Sequence, residues 1–274
     1  MSQAKIRLIA IDVDGTLLNG RHRVEPAVAV SLREQHQRGT KIVLATARSP
    51  QLMGAVLAEL GFLPLLICFS GAWIGDPNLQ SIQQKPFYQR ELSAMATEQV
   101  IDIGLSCHLE PNVFYPFEWR VRKLTTEVMT ESDITQVKPF VSSELLEGSR
   151  CPSKILLISK PGDTTAAIQR VASEVCSFTT ATFSKPNYLE IIAPGVNKAR
   201  SLALLAERLG FDMSATAAIG DGLNDLEMIE SSAFGVAMGN AQEEVKSAAD
   251  WVTSSHDEAG VAAAIQELSR RRLI

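Results

Sequence analysis

Apolar residues open the chain as a block. Residues 6–13 read IRLIAIDV, a continuous run suited to a strand covered on both faces. The period then changes. Residues 26–38 carry apolar side chains at helical spacing and stop at Gly39, which predicts a helix with a glycine C-terminal cap. KIVLAT (41–46) predicts a second buried strand, residues 50–60 a second helix closed by Gly61, and LPLLICF (63–69) a third strand. Strand, helix, strand, helix, strand is the signature of right-handed crossovers in one parallel sheet.

From about residue 80 to 190 the runs shorten. KILLISK (154–160) and FTTATFS (178–184) read as strands, and helical stretches fall near 91–104 and 163–175. This predicts an inserted α+β unit. From YLEIIAP (188–194) the first pattern resumes: a helix over 197–209 ending at Gly210, a strand TAAIG (216–220), and a helix starting over 223–230. The strand FGVAMG (234–239), a helix from Ala241, WVT (251–253) and a last helix from Asp257 follow. The predicted core is therefore discontinuous, made of the two ends of the chain.

Composition narrows the function classes. The 274 residues are 46% hydrophobic and 21% charged, enough apolar content for a substantial core of a soluble protein. A net charge of -5 argues against general nucleic-acid binding, which needs a basic face, yet leaves room for a locally cationic pocket. No run of eighteen apolar residues predicts a membrane span, and the N-terminal strand, broken by two aspartates, is not a signal peptide. Cys68, Cys107, Cys151 and Cys176 are scattered, which predicts reduced thiols in a cytoplasmic protein and no structural zinc.

The chemistry concentrates at predicted strand ends. Asp12-Val13-Asp14-Gly15-Thr16 follows the first strand, and in open α/β sheets ligands bind beyond the carboxyl ends of strands. Two carboxylates so close repel unless a cation sits between them or one is protonated, and Mg²⁺ prefers oxygen ligands of this kind. Asp14-Gly15 also fits a plain turn. Gly220-Asp221-Gly222-Leu223-Asn224-Asp225 follows the strand TAAI and opens a helix, so Asp221 is placed to complete a metal site from a neighbouring strand. Asp225 fits either a metal ligand or a support for one, and Asn224 fits helix capping nearly as well as a phosphate contact. Thr46, with the adjacent backbone N–H groups at Ala47, can hold phosphate oxygens. Lys198 begins a helix, where a cation opposes the macrodipole, so an anionic partner such as phosphate or Asp12 explains it better. Arg48 reads equally as a solvated surface residue.

In order, DVDGTLL, Thr46, Lys198 and GDGLND resemble the four motifs of the haloacid dehalogenase-like hydrolases. SGA (70–72), YLEI (188–191), GVAMGNA (235–241) and DEAGVAAAI (257–265) are similar to the Cof-type subgroup. The resemblance implies an α/β fold: a Rossmann-like, doubly wound, mainly parallel sheet core over 1–80 and 190–274, with an inserted α+β cap over 81–189. It implies a Mg²⁺-dependent phosphatase acting on a small phosphorylated metabolite through an aspartyl-phosphate. Asp12 would be the nucleophile and Asp14 the general acid and base. Thr46, Ala47, Lys198 and Asn224 would hold phosphate, and Mg²⁺ would be held by Asp12, the Asp14 carbonyl and Asp221, with Asp225 close behind. Ala47, Ser70 and Ala199 depart from the subgroup's usual residues; Ala47 and Ser70 bear on substrate preference more than on the reaction. A phosphosugar mutase shares this chemistry, and a phosphate-sensing protein shares the fold. Sugar phosphates, phosphoglycolate-like acids and pyridoxal phosphate stay open as substrates. His108, Glu110, Tyr115, Trp119, Arg120 and Tyr188 are the candidates for contacts to the leaving group, and a monomer is expected.

Overall fold

The computed structural model describes residues 5–78, 85–146, 148–160 and 166–274. In chain order its strands are β1 (Leu8–Asp12), β2 (Lys41–Ala45), β3 (Leu65–Cys68), β4 (Trp73–Gly75) and β5 (Tyr88–Gln89). Then come β6 (Pro111–Tyr115), β7 (Glu118–Val121), β8 (Phe140–Val141), β9 (Lys154–Ile158), β10 (Thr180–Lys185) and β11 (Tyr188–Ile192). Three more, β12 (Thr216–Gly220), β13 (Phe234–Ala237) and β14 (Trp251–Val252), complete the set. The helices are α1 (Pro26–Gln37), α2 (Gly54–Leu60), α3 (Ala94–Ser106), α4 (Thr126–Thr135) and α5 (Ala166–Val175). After the second sheet follow α6 (Lys198–Arg208), α7 (Leu226–Ser231), α8 (Glu243–Ala248) and α9 (Gly260–Arg270).

Two sheets result. The first has eight strands in the order β14-β13-β12-β1-β2-β3-β4-β5, parallel from β14 to β3 and antiparallel at β4 and β5. Its central strands are buried end to end, as the apolar runs predicted: every residue of β1 and β12 is buried. The chain steps outward from β1 through β2 and β3, then returns on the other side of β1 as β12. That reversal makes the β1–β12 boundary the switch point of the sheet, where a crevice opens at the carboxyl ends.

The second sheet has six strands in the order β10-β11-β9-β6-β7-β8. Alternation gives it two unlike faces. Val113, Ile155, Leu157, Leu189 and Ile191 pack in one cluster with Val100 of α3 and Ile168 of α5. The intervening Phe114, Leu156, Ile158, Tyr188 and Ile192 turn the other way and join the cluster that fills the first sheet. The two layers thus share one buried apolar seam.

Several sequence expectations shift. YLEIIAP was expected to resume the first layer, but residues 188–192 pair antiparallel with β9 and β10, so the chain leaves the second sheet only after Ile192. The first sheet likewise runs past residue 80, because β5 pairs with β4. Both strands are set by long-range pairing that a local run of apolar residues does not encode. The helix expected over 50–60 begins as a 3₁₀ turn, Pro50–Met53, before α2. The last helix is likewise preceded by a 3₁₀ turn at His256–Glu258. The helix expected from 163 is seen from Ala166; residues 161–165, and the layer boundary expected at residue 80, lie outside the described residues. Gly39 and Gly61 do close their helices, at φ +96° and +69°.

Candidate functional site

Parallel pairing of Leu8–Ile11 with Thr216–Ile219 brings Asp12 and the Gly220–Asp221 turn out of the sheet at one level. Oxygens of Asp12, Asp221 and Asp225 lie within 4.8 Å of one another. Gly15 permits this approach. It stands at φ +87°, and a Cβ there would come 2.4 Å from Asp221 Oδ2. Thr16 Oγ1 donates to Asp221 Oδ1 at 2.9 Å, and Asn240 Nδ2 donates to the Gly15 carbonyl at 2.8 Å, so neighbours outside the cluster fix both the turn and the carboxylate.

Lys198, the first residue of α6, is wholly buried, and its Nζ donates to Asp12 Oδ1 and Asp225 Oδ1, each at 2.6 Å. Asn197 caps that helix by accepting from Arg200 N at 2.8 Å, which frees the lysine to turn inward. Asp225 Oδ2 accepts from the backbone N–H groups of Asp221 (3.1 Å) and Gly222 (3.0 Å). Asp225 is therefore occupied in holding the lysine and the Asp221 loop. Asp12 differs: its Oδ2 is buried without a hydrogen-bond partner among the described residues.

Charge balance in this cluster is poor. Burial first, then the neighbouring Asp225, push the Asp12 carboxyl well above the usual carboxylate range, against the pull of Lys198. Burial and Asp225 push Asp221 up to about 6, partly offset by the Thr16 hydroxyl. A buried oxygen without a partner among the described residues, beside two more carboxylates, makes a set of hard oxygen donors that fits a small divalent cation.

Asp14 sits at the rim, its side chain 41% exposed, clamped by Arg48 through Nε–Oδ2 (2.8 Å) and Nη2–Oδ1 (2.5 Å). Burial would raise its carboxyl, but the Arg48 charge and hydrogen bonds outweigh it and hold the group below its usual range. Arg48 is thus no solvated arginine, since only 10% of its side chain is exposed. Thr46 is buried at the end of β2 and its Oγ1 accepts from Arg48 N at 3.1 Å. Asn224 lines the cleft from the 3₁₀ turn Leu223–Asp225. The carbonyl of Ala47 accepts from Lys154 Nζ at 2.8 Å, a bond from the second sheet to the first.

Asp12, Asp14, Thr46, Ala47, Asp221 and Asn224 all line one cavity of about 110 Å³ between the two sheets. Lys198 and Asp225 brace it from beneath through Asp12 and the Asp221 loop. Across the cavity stand Glu131, Lys154, Ser184, Tyr188 and Glu190. Of the six side chains singled out from the inserted segment, Tyr188 alone lines it. His108 lies in an exposed turn at φ +60°, Glu110 pairs with Arg122 at 3.0 Å, and Arg120 with Glu118 at 2.5 Å. Trp119 stacks on Phe114 and donates to Asn112, and Tyr115 packs in the cluster beneath the sheet. Sequence reading passed over Lys154 and Glu190, both buried and paired at 2.8 Å. The signal was present, since a charged residue in an otherwise apolar strand must find a buried partner.

Comparison with known proteins places the whole chain in one family. A sequence profile of the haloacid dehalogenase-like hydrolases matches residues 9–265. The 5-amino-6-(5-phospho-D-ribitylamino)uracil phosphatase YcsE of Bacillus subtilis is 30% identical over 261 residues, 95% of each chain. The phosphatase YwpJ of the same organism is 30% identical over 289 residues, covering 96% of this chain and 100% of its own. A solved haloacid dehalogenase-like hydrolase from Bacteroides thetaiotaomicron superposes with a TM-score of 0.86 at 28% identity, covering 96% of this chain and 100% of its own. With a sheet whose switch point gathers these carboxylates, and a profile spanning nearly its whole length, the chain belongs to the Cof-type haloacid dehalogenase-like hydrolases.

Proposed function

We propose that the protein is a Mg²⁺-dependent phosphatase that hydrolyses a small phosphomonoester through an aspartyl-phosphate on Asp12. The observation that carries this reading is the state of Asp12: Oδ1 held by a buried ammonium, Oδ2 buried and without a partner. Such an oxygen is an aimed nucleophile. Its similarity to phosphatases at 30% identity supports the same reaction class.

In the first step Asp12 Oδ2 bonds to phosphorus as the ester P–O bond breaks, and Asp14 gives a proton to the leaving oxygen. In the second, Asp14 takes a proton from a water that attacks phosphorus, releasing inorganic phosphate and restoring Asp12. Asp14 can serve only after loosening from Arg48, and an arriving phosphate competes for that same guanidinium. Thr46 and the Ala47 N–H offer donors to the phosphate oxygens, as does Asn224. Lys198 keeps Asp12 in place and offsets its charge. Asp12, the Asp14 carbonyl and Asp221 would hold Mg²⁺, which would supply the positive charge that lets an anionic nucleophile meet an anionic ester. Asp225 would position this set rather than ligate, since both its oxygens already accept hydrogen bonds.

The six-stranded sheet with α3, α4 and α5 would be the cap that closes over the leaving group and excludes competing water. No described helix is long and apolar enough to cross a membrane. The described cysteines are all free, in keeping with a reducing cytoplasm, and a cap supplied by the same chain makes a monomer sufficient. The test is phosphate release from a panel of phosphorylated metabolites, with and without Mg²⁺, for wild type and Asp12→Asn. Mg²⁺-dependent release that the variant loses is the expected result. Release that survives Asp12→Asn, or full resistance to EDTA, refutes the mechanism, and phosphoryl return to the substrate without release marks a mutase.

A further inference from the structure

We propose that Lys154 is a positioning residue: from the second sheet it grips the Ala47 carbonyl, and through that peptide it aims the Thr46 hydroxyl at the phosphate. Seating of the second layer is thereby coupled to assembly of the phosphate site in the first. This rests on the phosphatase reading above and adds how its phosphate donors are put in order.

Lys154 opens β9, and its side chain is only 4% exposed. Two bonds hold its ammonium, each at 2.8 Å, and they run to different layers. Glu190 Oε2, on the neighbouring strand β11, accepts one and matches the charge. The Ala47 carbonyl of the first layer accepts the other. Aromatic rings from both layers fence the ammonium: the Phe114 centroid, on β6, is 4.9 Å from Nζ, and that of Phe69, just after β3, is 5.9 Å away. A buried lysine needs an anion, and Glu190 meets that need. The bond across the seam has a separate consequence.

The carbonyl of Ala47 and the N–H of Arg48 belong to one planar trans peptide, so they point in opposite directions. Lys154 holds the carbonyl end. The N–H end donates to Thr46 Oγ1 at 3.1 Å. Fixing one end of the plane fixes the other, and with it the hydroxyl. An oxygen that accepts from Arg48 N keeps its own proton to donate, and Thr46 lines the cavity over Asp12. Without the lysine the peptide can turn, its N–H leaves Thr46, and the hydroxyl rotates without a fixed aim. The phosphate end of the site then loses a set donor, which every phosphate ester feels whatever its leaving group.

The experiment is a double-mutant cycle on kcat/KM in Mg²⁺, with p-nitrophenyl phosphate and 4-methylumbelliferyl phosphate as esters of unlike leaving group. Lys154→Met with Glu190→Gln removes the grip and leaves no buried charge unmatched; Lys154→Met alone takes its place should the pair fold poorly. The change is made with Thr46 present and in Thr46→Val, which keeps the shape and lacks the hydroxyl. With Thr46 present, kcat/KM should fall fivefold or more, by factors that agree within threefold for the two esters. In Thr46→Val the same change should cost less than twofold, since the hydroxyl it sets is gone. A loss under fivefold with Thr46 present overturns the proposal. So does a loss of twofold or more in Thr46→Val, which marks a packing role. Losses that differ more than threefold between the esters mark contact with the leaving group and overturn it too. In all three cases turnover by wild type leaves the phosphatase reading standing. No Mg²⁺-dependent turnover of either ester by wild type sinks that reading and this proposal together.

Discussion

Asp12→Asn should stabilise the metal-free protein while abolishing turnover, and the size of the gain follows from the cluster. With oxygens no more than 4.8 Å apart, Asp12 repels Asp221 and Asp225. At an effective dielectric near 20 each repulsion costs about 3.5 kcal/mol. The contact with Lys198 at 2.6 Å returns about 6 kcal/mol on the same scale. Burial of the carboxylate adds a penalty of several kcal/mol, on the order of that left for any ion taken from water. The sum is unfavourable, and the raised Asp12 carboxyl expresses it. Wild type can relieve part of the strain by taking up a proton, which limits the gain from substitution. Asparagine retains an oxygen for Lys198 and places its amide where Oδ2 has no partner. A gain of about 1 kcal/mol corresponds to a rise in Tm of roughly 2–4 °C for a chain of this size. Thermal melts in EDTA and in excess Mg²⁺ read both effects. The variant should melt higher in EDTA, and Mg²⁺ should raise wild type but barely move the variant. A variant less stable than wild type in EDTA, or equal stabilisation of both by Mg²⁺, refutes the reasoning.

Lys198→Met should cost about 3–5 kcal/mol, because it strands two buried carboxylates; urea titration in EDTA checks this, and a loss below 1 kcal/mol contradicts it. The pH dependence of the metal-free protein has a defined sign. Asp221 binds its proton more tightly folded, at about 6, than unfolded, so stability is greatest below about pH 4 on its account and falls as pH rises through 6. Its share is at most about 3 kcal/mol; comparing urea midpoints of wild type and Asp221→Asn from pH 4 to 7 isolates it, and parallel curves would exclude it. Gly15→Ala should raise the Mg²⁺ concentration needed for half-maximal activity by tenfold or more, since the added methyl meets Asp221 Oδ2 in a backbone conformation that disfavours alanine. An unchanged Mg²⁺ requirement would show that the loop yields without disturbing the carboxylate.

Much of the site was legible in the sequence because its residues stand at the ends of apolar runs. A strand buried on both faces writes itself as uninterrupted Ile, Leu, Val and Ala, and the first polar residue after it must leave the sheet. That logic puts Asp12, Thr46 and Asp221 at strand ends, and the poor fit of a lysine at a helix start points Lys198 at an anion. The same local reading failed in the second layer. YLEII looks like the strands of the first sheet, since both are buried, and only pairing with β9 and β10 assigns it to the other. His108, Trp119 and Arg120 suit a ligand by type, yet Trp119 and Arg120 are engaged elsewhere and His108 lies in an exposed turn outside the cavity lining. Lys154 and Glu190, 36 residues apart, became a pair only when β9 and β11 aligned. Sequence determines which strands are buried and what chemistry sits at their ends, because solvation and backbone geometry act locally. Which strands become neighbours, and so which wall faces Asp12, is decided by long-range pairing and packing that no single segment carries.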